Sequence, residues 1–196
     1  AGARLVMFDV VFNNPNDGDP AFRAALDRYR NRVIVAMNVD MQDTAEMRKQ
    51  EGAAPTVVFP NSQLIPEPAQ KDDRVGFINY WNDVLDGKLR AARFFTSDRQ
   101  LVGNALFADD DLYVSLAARA LTKLGHAADI PQDQRDHLFR FSSNDAYVPF
   151  PLWEVFHPSY WKANYGNGTK FKNKIVVVGG SAQILHDVID TPMNPA

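Results

Sequence analysis

Two stretches of this sequence, and a scatter of single residues, carry side chains that could do chemistry. Near the C-terminus, Gly179-Gly180-Ser181 follows the apolar run 175–178, with His186, Asp187, Thr191 and Pro192 behind it. Near the N-terminus, Asp9 interrupts an apolar run over 4–12, and Asn13 follows. His126, His137, His157 and the acidic run Asp109, Asp110 and Asp111 stand apart from both.

As a phosphate cradle, the Gly-Gly-Ser stretch lacks what the known loops require. A Walker loop closes on Lys-Ser or Lys-Thr, and a dinucleotide loop needs a third glycine before its helix. Two successive glycines can still present backbone N–H groups to an anion at the carboxyl end of a strand, where open α/β sheets bind ligands. The competing reading is a tight turn by which a strand leaves its sheet, and the incomplete loop signatures favour it. As a nucleophile elbow, Ser181 would need a small residue two positions on, because the elbow backbone is strained, and Gln183 stands there. Serine hydrolysis drawing on His186 and Asp187 is therefore the least supported chemistry, and no catalysis is expected.

A carboxylate inside an apolar strand is costly to bury unpaired, so Asp9 must find donors or an opening. If the strands over 4–12 and 174–178 are parallel neighbours, Asp9, Asn13, Gly179, Gly180, Ser181 and Asp187 gather at one edge of the sheet as a candidate ligand cleft. Asp9 could equally cap a neighbouring turn, the commoner use of a buried polar group. The histidines show no His-Glu-x-x-His spacing, and the Asp109 to Asp111 run lacks the spaced oxygens and glycine of a calcium loop. Neither a metal nor a cofactor is expected. Trp153, Phe156, Tyr160, Trp161 and Tyr165 read either as core with its rim or as a face for a partner.

Positioning these groups requires a fold of ordinary size. The chain has 196 residues, 45% of them hydrophobic, enough for one domain with a substantial core. It has no cysteine, which excludes disulfides, thiol catalysis and thiolate zinc sites. A net charge of −3 with interspersed signs is not the footprint of a nucleic-acid binder. No apolar stretch approaches the roughly 20 residues that span a bilayer. The chain begins one short step before RLVMFDVVF and stops at TPMNPA, as an excised domain would.

The order of elements predicts an α/β domain with a mixed, mostly parallel central sheet, helices on its faces and an antiparallel hairpin. Strands are predicted over 4–12, 33–39 and 174–178, and a helix with Asp19 as its N-cap and Pro20 at its first position, running to about Arg30. Residues 43–50 suggest a short helix, and 52–73, with four prolines, an irregular surface excursion. Asp86-Gly87 is predicted to turn a hairpin between 74–80 and 89–95. A helix is predicted over 112–124, with Asp109 to Asp111 at its positive end. A short strand follows at 137–141, then a brief helix at 151–156 leading into an aromatic loop.

In this order, ARLVMFDVVFN, RVIVAMNVD, GFINYWNDVLDGKLRAARFF, YVSLAARAL and FKNKIVVVGGSAQILHDVIDTPM resemble the second class of CHASE domains, over nearly the whole chain. The resemblance is most specific in the last segment. It implies an extracytoplasmic sensory domain of a bacterial transmembrane receptor, tethered through flanking segments and regulating a cytoplasmic cyclase or kinase. It further implies an unidentified small-molecule or protein signal and a homodimer in the full-length receptor, the alternative being an interaction or dimerisation module without a small ligand. Asp9 matches the acidic residue of the family's first strand, and Asp86-Gly87 its turn. Gly179, Ser181, Asp187, Thr191 and Pro192 match its closing motif. The excursion over 52–73 and the aromatic loop after Trp153 depart from the family pattern.

Overall fold

The computed structural model describes residues 2–39, 55–83, 85–101, 111–142, 147, 149–180 and 191. Its centre is a parallel sheet in the order β9-β1-β2-β4, from β1 (Leu5–Asp9), β2 (Val33–Val39), β4 (Val75–Phe77) and β9 (Ile175–Gly179). β3 (Val57–Val58) pairs antiparallel with the end of β2. Two small antiparallel pairs lie outside this sheet, β5 (Ala91–Ala92) with β8 (His137–Leu138) and β6 (Phe95–Ser97) with β7 (Leu112–Val114). The open, mixed α/β architecture is the one the element order predicts.

The β1 to β2 crossover is α1 (Asp19–Arg28), with Pro20 in its first turn and Gly18 at its N-cap. Asp19 is the first helical residue rather than the cap. On the α1 side of the sheet, Leu26 packs with Val33, Val35 and Met37, and Phe8, Phe12 and Phe22 lean on this core with their rings edge-on at 5.1–5.8 Å. On the other side, Leu5 and Ile34 meet Leu116 and Ala120 of α3 (Leu116–Lys123). Burying each such Leu or Ile side chain contributes roughly 1.5–3 kcal/mol.

Several elements differ from the sequence expectation. Residues 112–114 are a strand, and the helix starts only at Leu116, capped by Ser115, whose Oγ accepts the Ala118 N–H at 3.0 Å. Tyr113 and Val114 pack best on a pleated surface, and pairing with β6 overrides the helical spacing of Leu112. The Asp86-Gly87 turn forms, with Gly87 at φ +71° and its N–H donating to the Asp83 carbonyl at 2.8 Å. It does not join a hairpin: β4 pairs with β2, while 91–92 and 95–97 find β8 and β7.

The Pro-bearing stretch is not a surface excursion either. Leu64, Ile65 and Ala69 from it are fully buried in the α1-side core. The helix expected over 43–50 lies outside the described residues. The aromatic loop is helical, as α5 (Pro158–Tyr165) directly after α4 (Leu152–Phe156), and α2 (Asp98–Leu101) is a single turn after β6. β1 and β9 are also less buried than continuous apolar runs suggest. Among the described residues β9 is the outermost strand of the sheet, with Ile175 and Val177 exposed on one face.

Candidate functional site

The carboxyl end of the parallel sheet brings the two predicted clusters together in part. β1 and β9 run in register from Leu5 opposite Ile175 to Asp9 opposite Gly179. A Cβ on Gly179 would lie 3.0 Å from the Asp9 Cβ, 3.3 Å from its carbonyl oxygen and 3.5 Å from its Oδ2. Glycine at 179 is thus what lets the Asp9 side chain lie against the neighbouring strand. Asp9 is exposed rather than buried, so the argument from burial does not hold for it. Gly180 follows at the same end of β9, also exposed. Asn13 is exposed in the connection that leaves β1. Ser181 and Asp187 lie outside the described residues.

The connection bearing Asn13 is pinned by a residue that sequence reasoning missed. The Asn61 backbone N–H donates to the Phe12 carbonyl at 2.8 Å. Its Nδ2 reaches the carbonyls of Phe12 and Asn14 at 3.1 and 3.3 Å and Oδ2 of Asp19 at 3.0 Å. Asp19, almost fully buried, also accepts the Asn16 N–H at 3.1 Å. One amide therefore ties the end of β1 to the start of α1. The only sequence signal was an Asn after Pro60, which reads as any other turn.

A second asparagine closes the adjacent strand ends. The Val39 N–H donates to Oδ1 of Asn79 at 2.8 Å, and Nδ2 of Asn79 donates to the Val39 carbonyl and to Oδ1 of Asn38, each at 2.8 Å. The Asn79 amide takes the place of a further β4 backbone unit opposite Val39. Satisfied this way, Val39 needs no further ladder bond on the β4 side of β2.

The amino ends of the same strands hold a charge network of a different kind. Arg74, 1% exposed, donates Nε and Nη2 to Asp72 at 2.9 and 2.8 Å and Nη1 to Asp27 at 2.6 Å. Arg30 pairs with Asp72 and Asp73, and Nζ of Lys123 reaches Asp73 at 2.6 Å. Burial would raise the Asp72 carboxyl, but hydrogen bonds from Arg74 and the charges of Arg74 and Arg30 outweigh it and hold it below the usual carboxylate range. Asp73 is lowered likewise: burial opposes, while the Lys123 hydrogen bond and charge and the Arg30 charge prevail. Each cation here faces carboxylates of the chain itself, which makes the network a structural clamp.

Two clefts stand away from Asp9. One of about 490 Å³ lies beside α3, lined by Phe95, Val114, Ala118, Arg119 and Ile130 among others. There Nε of Arg119 is spent on the Val75 carbonyl at 2.9 Å. The other, about 370 Å³, lies at the amino ends of the strands beside Arg4, Arg32 and Lys123. Among the described residues, no three His, Asp or Glu side chains converge as a metal-ligand group. No helix among them is long and apolar enough to cross a membrane.

Comparison with known proteins returns one family: the model of the CHASE2 domain matches residues 1–196. No curated protein and no solved structure matches the chain.

Proposed function

Because the chain belongs to the CHASE2 domain family, extracytoplasmic sensory domains of cyclase and kinase receptors, we propose that it is a signal-input domain that takes its signal at the carboxyl ends of β1 and β9. The signal shifts a conformational equilibrium that passes through the membrane to a cytoplasmic cyclase or kinase. The observation that carries this reading is the Asp9–Gly179 pair, where an exposed aspartate lies against a bare glycine at a strand end. Asn13, Gly179 and Gly180 stand at the same end of the sheet, and Ser181 and Asp187, which the sequence adds to this group, lie outside the described residues. Signalling requires that the ligand bind one state better than the other, since equal affinity for both moves nothing. The domain itself performs no catalysis.

The receptor works as a homodimer in this reading. β9 supports it, because the outermost strand of the sheet among the described residues, with Ile175 and Val177 exposed, is a surface that a second chain can cover. If dimerisation is the whole function, no small ligand is needed.

Native mass spectrometry of the domain and of Asp9→Asn, beside the output activity of the receptor carrying the same change, separates these readings. A defined adduct and a signalling response, both lost in Asp9→Asn with an unchanged melting temperature, are expected. A variant that loses stability but still responds would make Asp9 a structural cap. A bare chain that dimerises would leave an interaction module.

A further inference from the structure

The helical pair α4 and α5 has an outer face that neither the cleft nor the charge clamp uses. Trp153 and Phe156, three residues apart on α4, are 57% and 77% exposed, and Leu152 is 50% exposed. Tyr160 of α5, 40% exposed, meets Trp153 edge-on at 5.0 Å. Behind them the unit packs on its own rings. Tyr165, 1% exposed, stacks on Phe171 at 5.3 Å and donates its hydroxyl to Glu154 at 2.8 Å.

The charge of this region is opposite to that of the chain. Residues 150–174 hold Lys162, Lys170, Lys172 and Lys174 against Glu154 alone, a net of +3 within a chain of net −3. All four lysines are exposed. The one acid is turned inward, accepting from Asn164 Nδ2 at 2.9 Å as well as from Tyr165. Lys170 lays its Nζ over the exposed Phe150 ring at 3.9 Å.

Exposed Trp, Tyr and Phe suit either a protein partner or a bilayer interface, but lysine separates the two. It is depleted where proteins bury one another, and enriched with aromatics where a polypeptide lies in the headgroup layer of an anionic membrane. We propose that the outer face of α4 and α5 rests on an anionic lipid bilayer, with Trp153 and Phe156 entering the headgroup boundary and Lys162 and Lys172 reaching lipid phosphates. The inference rests on the reading of the chain as a membrane-tethered sensor, and adds a peripheral contact that orients the domain.

The test is co-sedimentation of the chain with vesicles of mixed phosphatidylglycerol and phosphatidylcholine, against phosphatidylcholine alone, with tryptophan emission recorded. Binding to the anionic vesicles alone, weakened by salt and accompanied by a blue shift, is expected. Trp153→Ala with Phe156→Ala lowers the partition about tenfold or more, and Lys162→Gln and Lys172→Gln about fivefold each. The melting temperature is expected to be unchanged in the lysine variants and lowered slightly in the aromatic variant, which loses the Trp153–Tyr160 edge contact. No binding to anionic vesicles, or equal binding by the aromatic variant, overturns the proposal. So does a dimer in sedimentation velocity that the aromatic variant dissolves while vesicles capture nothing, which would give the face to a second copy. The receptor's response through Asp9 is read separately, so failure here leaves the sensor reading standing.

Discussion

Asp9 and Gly179 face each other across adjacent parallel strands, so close that a Cβ at 179 would stand 3.0 Å from the Cβ of Asp9. Both lie at the last paired position of β1 and β9. Position 179 therefore controls where the carboxylate points, and Gly179→Ala is expected to push Asp9 away by a few tenths of an ångström. The expected cost is about 1 kcal/mol, or a melting temperature about 2–4 °C lower. Calorimetry checks this, and an unchanged transition would mean that the strand ends part freely.

Gly76 is under a tighter constraint. A Cβ there would come within 2.7 Å of the Leu116 Cα and N, backbone at the start of α3. Backbone cannot swing aside as a side chain can, so Gly76→Ala is expected to cost about 3 kcal/mol, the upper end for overpacking. Urea denaturation measures it. A loss below about 1 kcal/mol would show that α3 can slide on the sheet.

The Asn79 amide makes three hydrogen bonds to Asn38 and Val39. Asn79→Ala strands the Val39 N–H and carbonyl, and is expected to destabilise the domain by about 2 kcal/mol. Asn79→Asp keeps the acceptor for the Val39 N–H but loses both donations, and sets a carboxylate against two oxygens. It is expected to be at least as damaging at neutral pH and to recover partly in acid. Equilibrium unfolding of both variants at two pH values decides.

The Arg74 clamp gives stability a definite acid dependence. The folded-state pKa of Asp72 lies below its unfolded value, so the stabilisation is fully present above the unfolded value of about 3.9 and is lost as the pH falls toward the folded one. Asp73 contributes with the same sign. Asp72→Ala should remove its share of this acid slope and, by leaving Arg74 short of a partner, cost about 3 kcal/mol at pH 7. An unaltered slope of unfolding free energy against pH would place the acid sensitivity elsewhere.

Sequence patterns local to one element were legible. Valine-rich runs predict β2 and β9, the apolar run over 4–12 predicts β1, which ends sooner, at Asp9, and Asp19-Pro20 with helical spacing predicts α1 to within two residues. Of the candidate cleft, the Asp9–Gly179 juxtaposition follows from pairing two such strands in parallel. The exposure of Asp9 does not, because it depends on where β1 ends relative to its neighbours.

By itself the sequence determined an α/β domain without thiol chemistry, the places of its main strands and first helix, and its likeness to one sensory family. These depend on hydrophobic period, turn residues and motif order, all of which act over a few residues. Tertiary structure alone decided that 112–114 pair as a strand, that β4 joins the parallel sheet instead of a hairpin, and that Leu64 and Ile65 enter the core. It also decided that Asn61 and Asn79, plain polar residues in the sequence, hold the rim beside Asp9. The physical reason is range. A strand's partner, and the backbone group an amide satisfies, lie about forty to fifty residues away at these asparagines. Local propensities that differ by only a fraction of a kcal/mol yield to whatever long-range pairing buries apolar surface and leaves no polar group unpaired.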